Sequence, residues 1–284
     1  MEPWSHGAMH DINIAIVNWK AKQEIDICLE SLFEDIKGSG LQAVVHVVDN
    51  SQNADGIKEL LKEKYPGVRY IDPGGNIGFG KAQNLAFQKE EARFYLSLNP
   101  DIEFLPGRST IKRMLEFLHK NKKVGLVAPK LLNPDKSIQY SCCRFPGFLD
   151  QIARRLDFEK KSKYFKKRVD HYLMKDFDHE QTVPVDWVIG SFMLIKKEAA
   201  DQVGFFDDRF FMYFEDCDWC RRVWEKGYQI YYIHDTSVIH AHHRDSADGS
   251  PIRSLFKNPI ARVHLKSWLK YFWKWGIRRK PYGY

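Results

Sequence analysis

No apolar run in this 284-residue sequence approaches the ~20 residues that a bilayer-spanning helix needs, so a multi-span membrane protein is excluded. No charged-then-apolar secretory leader is recognisable either, and the first ten residues, MEPWSHGAMH, carry no periodic pattern and are set aside from the fold. Cysteine is sparse and odd in number: five residues, Cys28, Cys142, Cys143, Cys217 and Cys220, at irregular spacings. A disulfide framework is thereby excluded, and a reducing, cytoplasmic setting is expected. Internal repeats and low-complexity tracts are also missing. So are the spacings of a dinucleotide fingerprint and of a Walker loop, which weakens NAD and ATP readings.

The composition that remains is ordinarily globular, with 44% hydrophobic and 29% charged residues. The formal net charge of +7 gathers in residues 160–168 and from Lys266 to Lys280. A basic surface attracts phosphorylated substrates, anionic lipid or nucleic acid. No recognised nucleic-acid motif interleaves with these basic residues, so no nucleic-acid partner is expected.

Short apolar runs alternate with amphipathic stretches through the first half. Strands are expected at Ile12–Asn18, Ala43–Asp49, Val68–Asp72, Arg93–Leu98 and Val124–Ala128. Helices are expected at about 21–37, 55–64, from near Gly80, and 109–121. Such alternation implies an α/β fold with a parallel sheet covered on both faces. Residues 141–182 show no clean period. Order returns with a strand at Val185–Lys196, a helix at 215–226, strand-like Gln229–Ile233 and Ser237–His240, and a helix at 259–275.

Several polar stations fall where strands end, the usual place for ligands in an open α/β sheet. Asp49, after Val47-Val48, presents a carboxylate suited to the N3–H of a pyrimidine; it is equally suited to capping a turn. The run Asn76-Ile77-Gly78-Phe79-Gly80-Lys81-Ala82-Gln83-Asn84 puts glycines at a helix mouth, where backbone N–H groups approach a diphosphate or simply form a turn. Leu98-Asn99-Pro100-Asp101 ends a strand in one carboxylate, which with diphosphate oxygens and water suits Mg2+ or Mn2+. In Phe214-Glu215-Asp216-Cys217-Asp218 three acids open a helix after an aromatic stretch. Acids favour a first helical turn, yet two adjacent carboxylates among aromatics point to a raised pKa and general-base work. Asp218 and Arg222 have the spacing of an exposed ion pair, and Cys217 with Cys220 forms a CxxC that lacks the second pair a zinc site needs.

The ordered set VVDNS, NIGFGKAQN, LNPD, VIGSFMLIKK, GFFDDRFFMYFEDCDWCRR and VIHAHHRDS resembles glycosyltransferase family 2, nearest its rhamnosyltransferase-like branch, over about residues 12–246. The resemblance implies a GT-A fold, a Rossmann-like, mixed and mostly parallel sheet flanked by helices. The domain would span residues 11–245, with a nucleotide-binding half at about 11–130 and an acceptor half at about 131–245. It implies Asp216 as general base and Glu215 as its neighbour. Asn18, Asp49, Asn76, Gly78, Phe79, Asn84, Asn99, Gly190 and Arg244 would line the substrates, and Asp101 and His240 would hold the metal. Asn99 stands where the DxD-type motif has its first acid. An inverting transfer follows, from a nucleotide-diphosphate sugar (dTDP-rhamnose first) to a lipid-linked glycan. A glycosyltransferase of the same fold using another UDP- or GDP-sugar, a nucleotidyltransferase and a non-catalytic nucleotide-sugar-binding module are the rival readings. The basic aromatic tail, 246–284, reads as an interfacial helix on the inner face of the plasma membrane, or as a helix packed on the domain with its lysines in water.

Overall fold

The structure is a computed structural model that describes residues 9–150, 158–241, 258–277 and 282–283. Twelve strands run in chain order: β1 His10–Asn18, β2 Ala43–Asp49, β3 Arg69–Ile71, β4 Ala92–Leu98, β5 Ile102–Phe104, β6 Val124–Leu132, β7 Ile138–Gln139, β8 Cys142–Cys143, β9 Val183–Pro184, β10 Trp187–Val188, β11 Phe192–Lys196 and β12 Gln229–His240. The helices are α1 Lys22–Ile36, α2 Ile57–Lys64, α3 Phe79–Phe87, α4 Thr110–Lys120, α5 Phe158–Lys161, α6 Lys163–Tyr172, α7 Lys197–Val203, α8 Glu215–Glu225 and α9 Pro259–Trp275.

The main sheet is ordered β3-β2-β1-β4-β11-β6-β12-β5, with β7 beside β6 and β9 beside β12. Its first four strands are parallel, as the alternating pattern requires, and β6 pairs parallel with β12. Strand β11 enters antiparallel between β4 and β6, which makes the sheet mixed. Period-2 alternation sorts the side chains. Ile12, Ile14 and Ile16 face a layer with Ile25, Leu29, Leu61 and Leu115, whereas Ala15 and Val17 face one with Ala82, Phe87, Phe206 and Trp219.

Two expectations are corrected. The single strand at Val185–Lys196 is two, because the backbone of residues 189–191 changes partners: Ile189 N–H goes to Ser141 O, Gly190 N–H to a side chain, and Ser191 O takes the Asn99 N–H. The stretch 141–182, without a readable period, holds β8, α5 and α6. It supplies Phe148, whose ring lies 4.4 Å from Trp268 and 5.3 Å from Phe272 of α9.

Candidate active site

Asn18 and Asp49, at the ends of adjacent parallel strands, meet with a 2.9 Å hydrogen bond from the Asn18 amide. The Asp49 carboxylate also accepts the Ser51 N–H at 2.9 Å, the Ser51 hydroxyl at 2.7 Å, the Asn53 N–H at 2.5 Å and the Tyr70 hydroxyl at 3.0 Å. Five donors meet about four lone-pair positions. Burial pushes this carboxyl up, but the bonds from Ser51, Asn53 and Tyr70 outweigh it and hold the group below its ordinary range. Asp49 therefore organises its loop in the way the capping alternative describes. Asn18 Oδ1 accepts from Ala21 N–H at 2.9 Å, and its amide also reaches Asp55 at 3.2 Å. Both side chains are fully buried.

The glycine-rich run is tied to the loop that precedes the acids. Phe79 N–H donates to Phe211 O at 2.9 Å, and Asn50 donates its amide to Gly78 O. Gly78 has φ of +89°, and a Cβ there would lie 2.3 Å from Phe211 O, so only glycine fits. Asn76 is exposed and its Oδ1 accepts the Gly78 N–H. Asn84 bridges away from the run: Oδ1 accepts Phe206 N–H, and Nδ2 donates to Phe206 O and to Asp208. It stitches α3 to the 206–208 segment.

The acids open α8 immediately after two non-glycine residues in the left-handed region, Tyr213 at φ 69° and Phe214 at φ 66°. Each costs ~1–2 kcal/mol relative to ordinary backbone. Helix α9 supports this turn from outside. Ser267 donates to Met212 O at 2.8 Å, His264 packs on Tyr213 and Phe214, and Tyr271 packs on Phe214. Lys274 reaches Asp207 at 2.8 Å and Asp218 at 2.7 Å, and Trp275 donates to Asp218 at 2.7 Å. The Asp218–Arg222 pair, expected to be exposed, forms at 2.9 Å with Asp218 fully buried, because α9 covers it.

Asp216 is partly open, and its carboxylate accepts Gly190 N–H at 2.9 Å and Cys217 N–H at 2.7 Å. Burial pushes its carboxyl up to about 6 even against those bonds. Glu215 is buried, and its Oε2 has no hydrogen-bond partner among the described residues. Burial first, then the neighbouring Asp216 charge, raises Glu215 well above its usual range. The two neighbouring carboxyls titrate as a pair, and both are raised. Phe79 lies beside them, with its ring 3.6 Å from where a Cβ on Gly190 would stand.

The metal candidates come together as well. His240 Nε2 lies 3.3 Å from Asp101 Oδ1, and Ala241 N–H donates to Asp101 O at 3.0 Å. Two ligands in neighbouring positions around a cation, each at ~2.1 Å, stand about 3 Å apart, so this pair fits a divalent ion. Among the described residues no third His, Cys, Asp or Glu completes the set, which leaves the other positions to phosphate oxygens and water. Asn99 is pinned through its backbone to Ser191. Arg244, with His242 and His243, lies outside the described residues. Cys142, Cys143, Cys217 and Cys220 are all buried.

Sequence reading missed three participants: Asp55 and Tyr70 around Asp49, and Gln139, whose Oε1 lies 2.5 Å from His240 Nδ1. Tyr70 sits within the third expected strand, but no local signal pairs Gln139 with a residue 101 positions away.

The chain matches the family described as Glycosyltransferase like family 2 over residues 10–253. It is 28% identical over 209 residues to N-acetylglucosaminyl-diphospho-decaprenol L-rhamnosyltransferase of Mycobacterium tuberculosis, covering 69% of this chain and 66% of that one. It thus spans a little under two thirds of that relative. It is 29% identical to Rhamnosyltransferase WbbL of Escherichia coli, covering 86% of this chain and 87% of that protein. Among solved structures, mannosyltransferase PcManGT from Pyrobaculum calidifontis, in complex with GDP-Man and Mn2+, superposes with a TM-score of 0.56 at 14% identity, covering 96% of this chain and 79% of that one. GalNAc-T7, with UDP, GalNAc and Mn2+, superposes at 0.57 and 12% identity, covering 88% of this chain and 48% of that one. These two likenesses establish a shared fold.

Proposed function

The chain belongs to glycosyltransferase-like family 2, and on that premise we propose that it is an inverting glycosyltransferase that moves rhamnose from a nucleoside-diphosphate sugar, dTDP-rhamnose first, to a hydroxyl of a lipid-linked or polysaccharide acceptor in cell-surface glycan synthesis. The observation that carries the reading is Asp216: a partly open carboxylate, held by two backbone N–H groups and raised to about 6. A base of that strength is ionised at neutral pH and still takes a proton well.

Asp216 accepts the proton of the acceptor hydroxyl as its oxygen bonds to the anomeric carbon. The bond from that carbon to the diphosphate breaks on the opposite face, and the electron pair leaves with the nucleoside diphosphate. One displacement, with no covalent sugar on the protein, inverts the anomeric centre. Asp101 and His240 are the residues to hold Mg2+ or Mn2+, whose charge would favour the departing diphosphate. Glu215 stands beside the base, where burial and the neighbouring charge favour its protonated form. Gly78 and Phe79 border the donor pocket, with Asn76 at its rim. Arg244 is kept as a diphosphate contact by its place in the sequence alone.

Among the described residues no helix is long and apolar enough to cross a membrane. Helix α9 nevertheless turns an apolar and basic face outward: Leu265, Leu269 and Trp273, with Ile277 just beyond, stand among exposed Arg262, Lys266 and Lys270. That face supports contact with the anionic surface carrying a lipid-linked acceptor.

The test is a panel of nucleotide sugars assayed for nucleoside diphosphate release, with wild type beside Asp216→Asn and Asp101→Ala. Transfer by wild type from one donor and its loss in Asp216→Asn support the assignment. Near-normal transfer by Asp216→Asn removes Asp216 as the base.

A further inference from the structure

Residues 133–139, Asn-Pro-Asp-Lys-Ser-Ile-Gln, form a tight hairpin between β6 and β7 that no part of the proposed reaction uses. Its backbone closes with Asn133 N–H to Ser137 O and Lys136 N–H to Asn133 O, both at 2.8 Å, and Lys136 takes φ of 65°. Its side chains form a continuous line. Ser137 donates its hydroxyl to Asp135 Oδ1 at 2.6 Å, Asn133 Nδ2 donates to Ser137 Oγ at 2.8 Å, and Gln139 Nε2 donates to Asn133 Oδ1 at 3.1 Å. The last link is Gln139 Oε1 to His240 Nδ1 at 2.5 Å.

The direction of every link is fixed from one end. The bonds from Ser137 hold the Asp135 carboxyl below its ordinary range, so it is ionised and can only accept. Ser137 must then donate to it and offer its oxygen to Asn133. That turns the Asn133 carbonyl toward Gln139, and the Gln139 carbonyl toward the imidazole. A carbonyl facing Nδ1 demands that Nδ1 carry the proton. In the neutral ring, Nε2, 3.3 Å from Asp101, is then the nitrogen with a lone pair. Bonds aligned head to tail polarise one another, which firms the arrangement.

We infer that the Asn133–Gln139 hairpin is a tautomer-setting relay, with Gln139 as the positioning residue that keeps His240 Nε2 unprotonated and aimed at the cation shared with Asp101. It extends to four side chains the usual device in which a ligating histidine donates its other N–H to an acceptor. The inference rests on Asp101 and His240 being the cation site, and the experiment separates the two.

Mn2+ binding to the full chain is titrated by the EPR signal of free Mn2+, with UDP or dTDP present. Gln139→Leu weakens Mn2+ binding by roughly 10–100-fold, as loss of such an outer partner does. Gln139→Glu, which keeps an acceptor toward Nδ1, binds close to wild type, and Ser137→Ala falls between. In metal-free 15N-histidine-labelled protein, at a pH where the ring is neutral, the His240 proton resides on Nδ1, and Gln139→Leu loses that signature while its Tm stays near wild type. Wild-type affinity in Gln139→Leu, alongside lost affinity in His240→Ala, overturns the relay and leaves the cation site standing. Wild-type affinity in His240→Ala overturns both.

Discussion

Gly190 donates its N–H to the Asp216 carboxylate at 2.9 Å, while the carbonyl of the next residue receives the Asn99 N–H at the same distance. Two consecutive residues at the break between β10 and β11 thus join the base to the Asn99-Pro100-Asp101 turn. The proposed base and the proposed cation site are set against each other through the backbone of Gly190 and Ser191, whose N–H and C=O groups do not depend on a side chain at either position.

Gly190 and Gly78 should respond differently to one methyl group. At Gly190 an added Cβ meets Asp216 and Phe79 at 3.4–3.6 Å, near ordinary contact. At Gly78 it meets Phe211 O at 2.3 Å, in a backbone conformation alanine avoids. Gly190→Ala should fold with stability within about 1 kcal/mol of wild type, and Gly78→Ala should lose roughly 2–4 kcal/mol in urea unfolding. Equal stabilities would refute the close approach.

Asp216 sets an acid limb. With Asp216 as the proposed base, transfer requires its ionised form, so the rate should fall about tenfold per pH unit below about 6. Stability should move the other way. The folded carboxyl holds its proton up to about 6 and the unfolded one releases it near 3.9, so between those values the native state binds more protons and stability drops as pH rises. Asp216→Asn should therefore raise Tm at pH 8, by an amount worth on the order of 1–3 kcal/mol, with the gain vanishing toward pH 4. A mutant no more stable than wild type at pH 8 would deny the burial argument.

Asp49 has the opposite sign. Its carboxyl lies below the ordinary range, so its contribution is complete above about pH 4 and is lost as pH falls through the folded value. Asp49→Ala removes the acceptor of the Ser51 and Asn53 N–H groups and of the Tyr70 hydroxyl. It should cost about 2–4 kcal/mol at pH 7, read from denaturant midpoints. A cost below 0.5 kcal/mol, by the same yardstick, would mean the five donors find water instead.

Helix α9 should separate into two faces. Trp273, 83% exposed, can become Glu with Tm unchanged and binding to anionic vesicles reduced. Ser267→Ala removes the bond to Met212 and should cost about 1 kcal/mol, with slower turnover and vesicle binding intact. Vesicle binding by Trp273→Glu equal to wild type would leave only the packing role.

The sequence made six of the nine described helices and most strands legible because periodic burial is a local signal; α9, expected at 259–275, spans Pro259–Trp275. It also located the acids, since Glu215 and Asp216 lie among the aromatic residues that bury them. Long-range partners were illegible. Whether Asp49 faces solvent depends on Tyr70, 21 residues on, and Asp218 is buried by Lys274 and Trp275, more than 50 residues on. Residues 141–182 gave no period because they pack as short pieces against α9 and β10, where shape complementarity replaces a repeating face.

The sheet order has a consequence for anyone recombining relatives of this chain. Strand β11, at Phe192–Lys196, lies between β4 and β6, so the strands at 11–130 and those at 131–245 alternate across one layer. A chimera cut near residue 130 exchanges interior strands of a shared sheet, and every inherited register must match before any chemistry is tested. Acceptor preference is better grafted as surface loops than as a cassette.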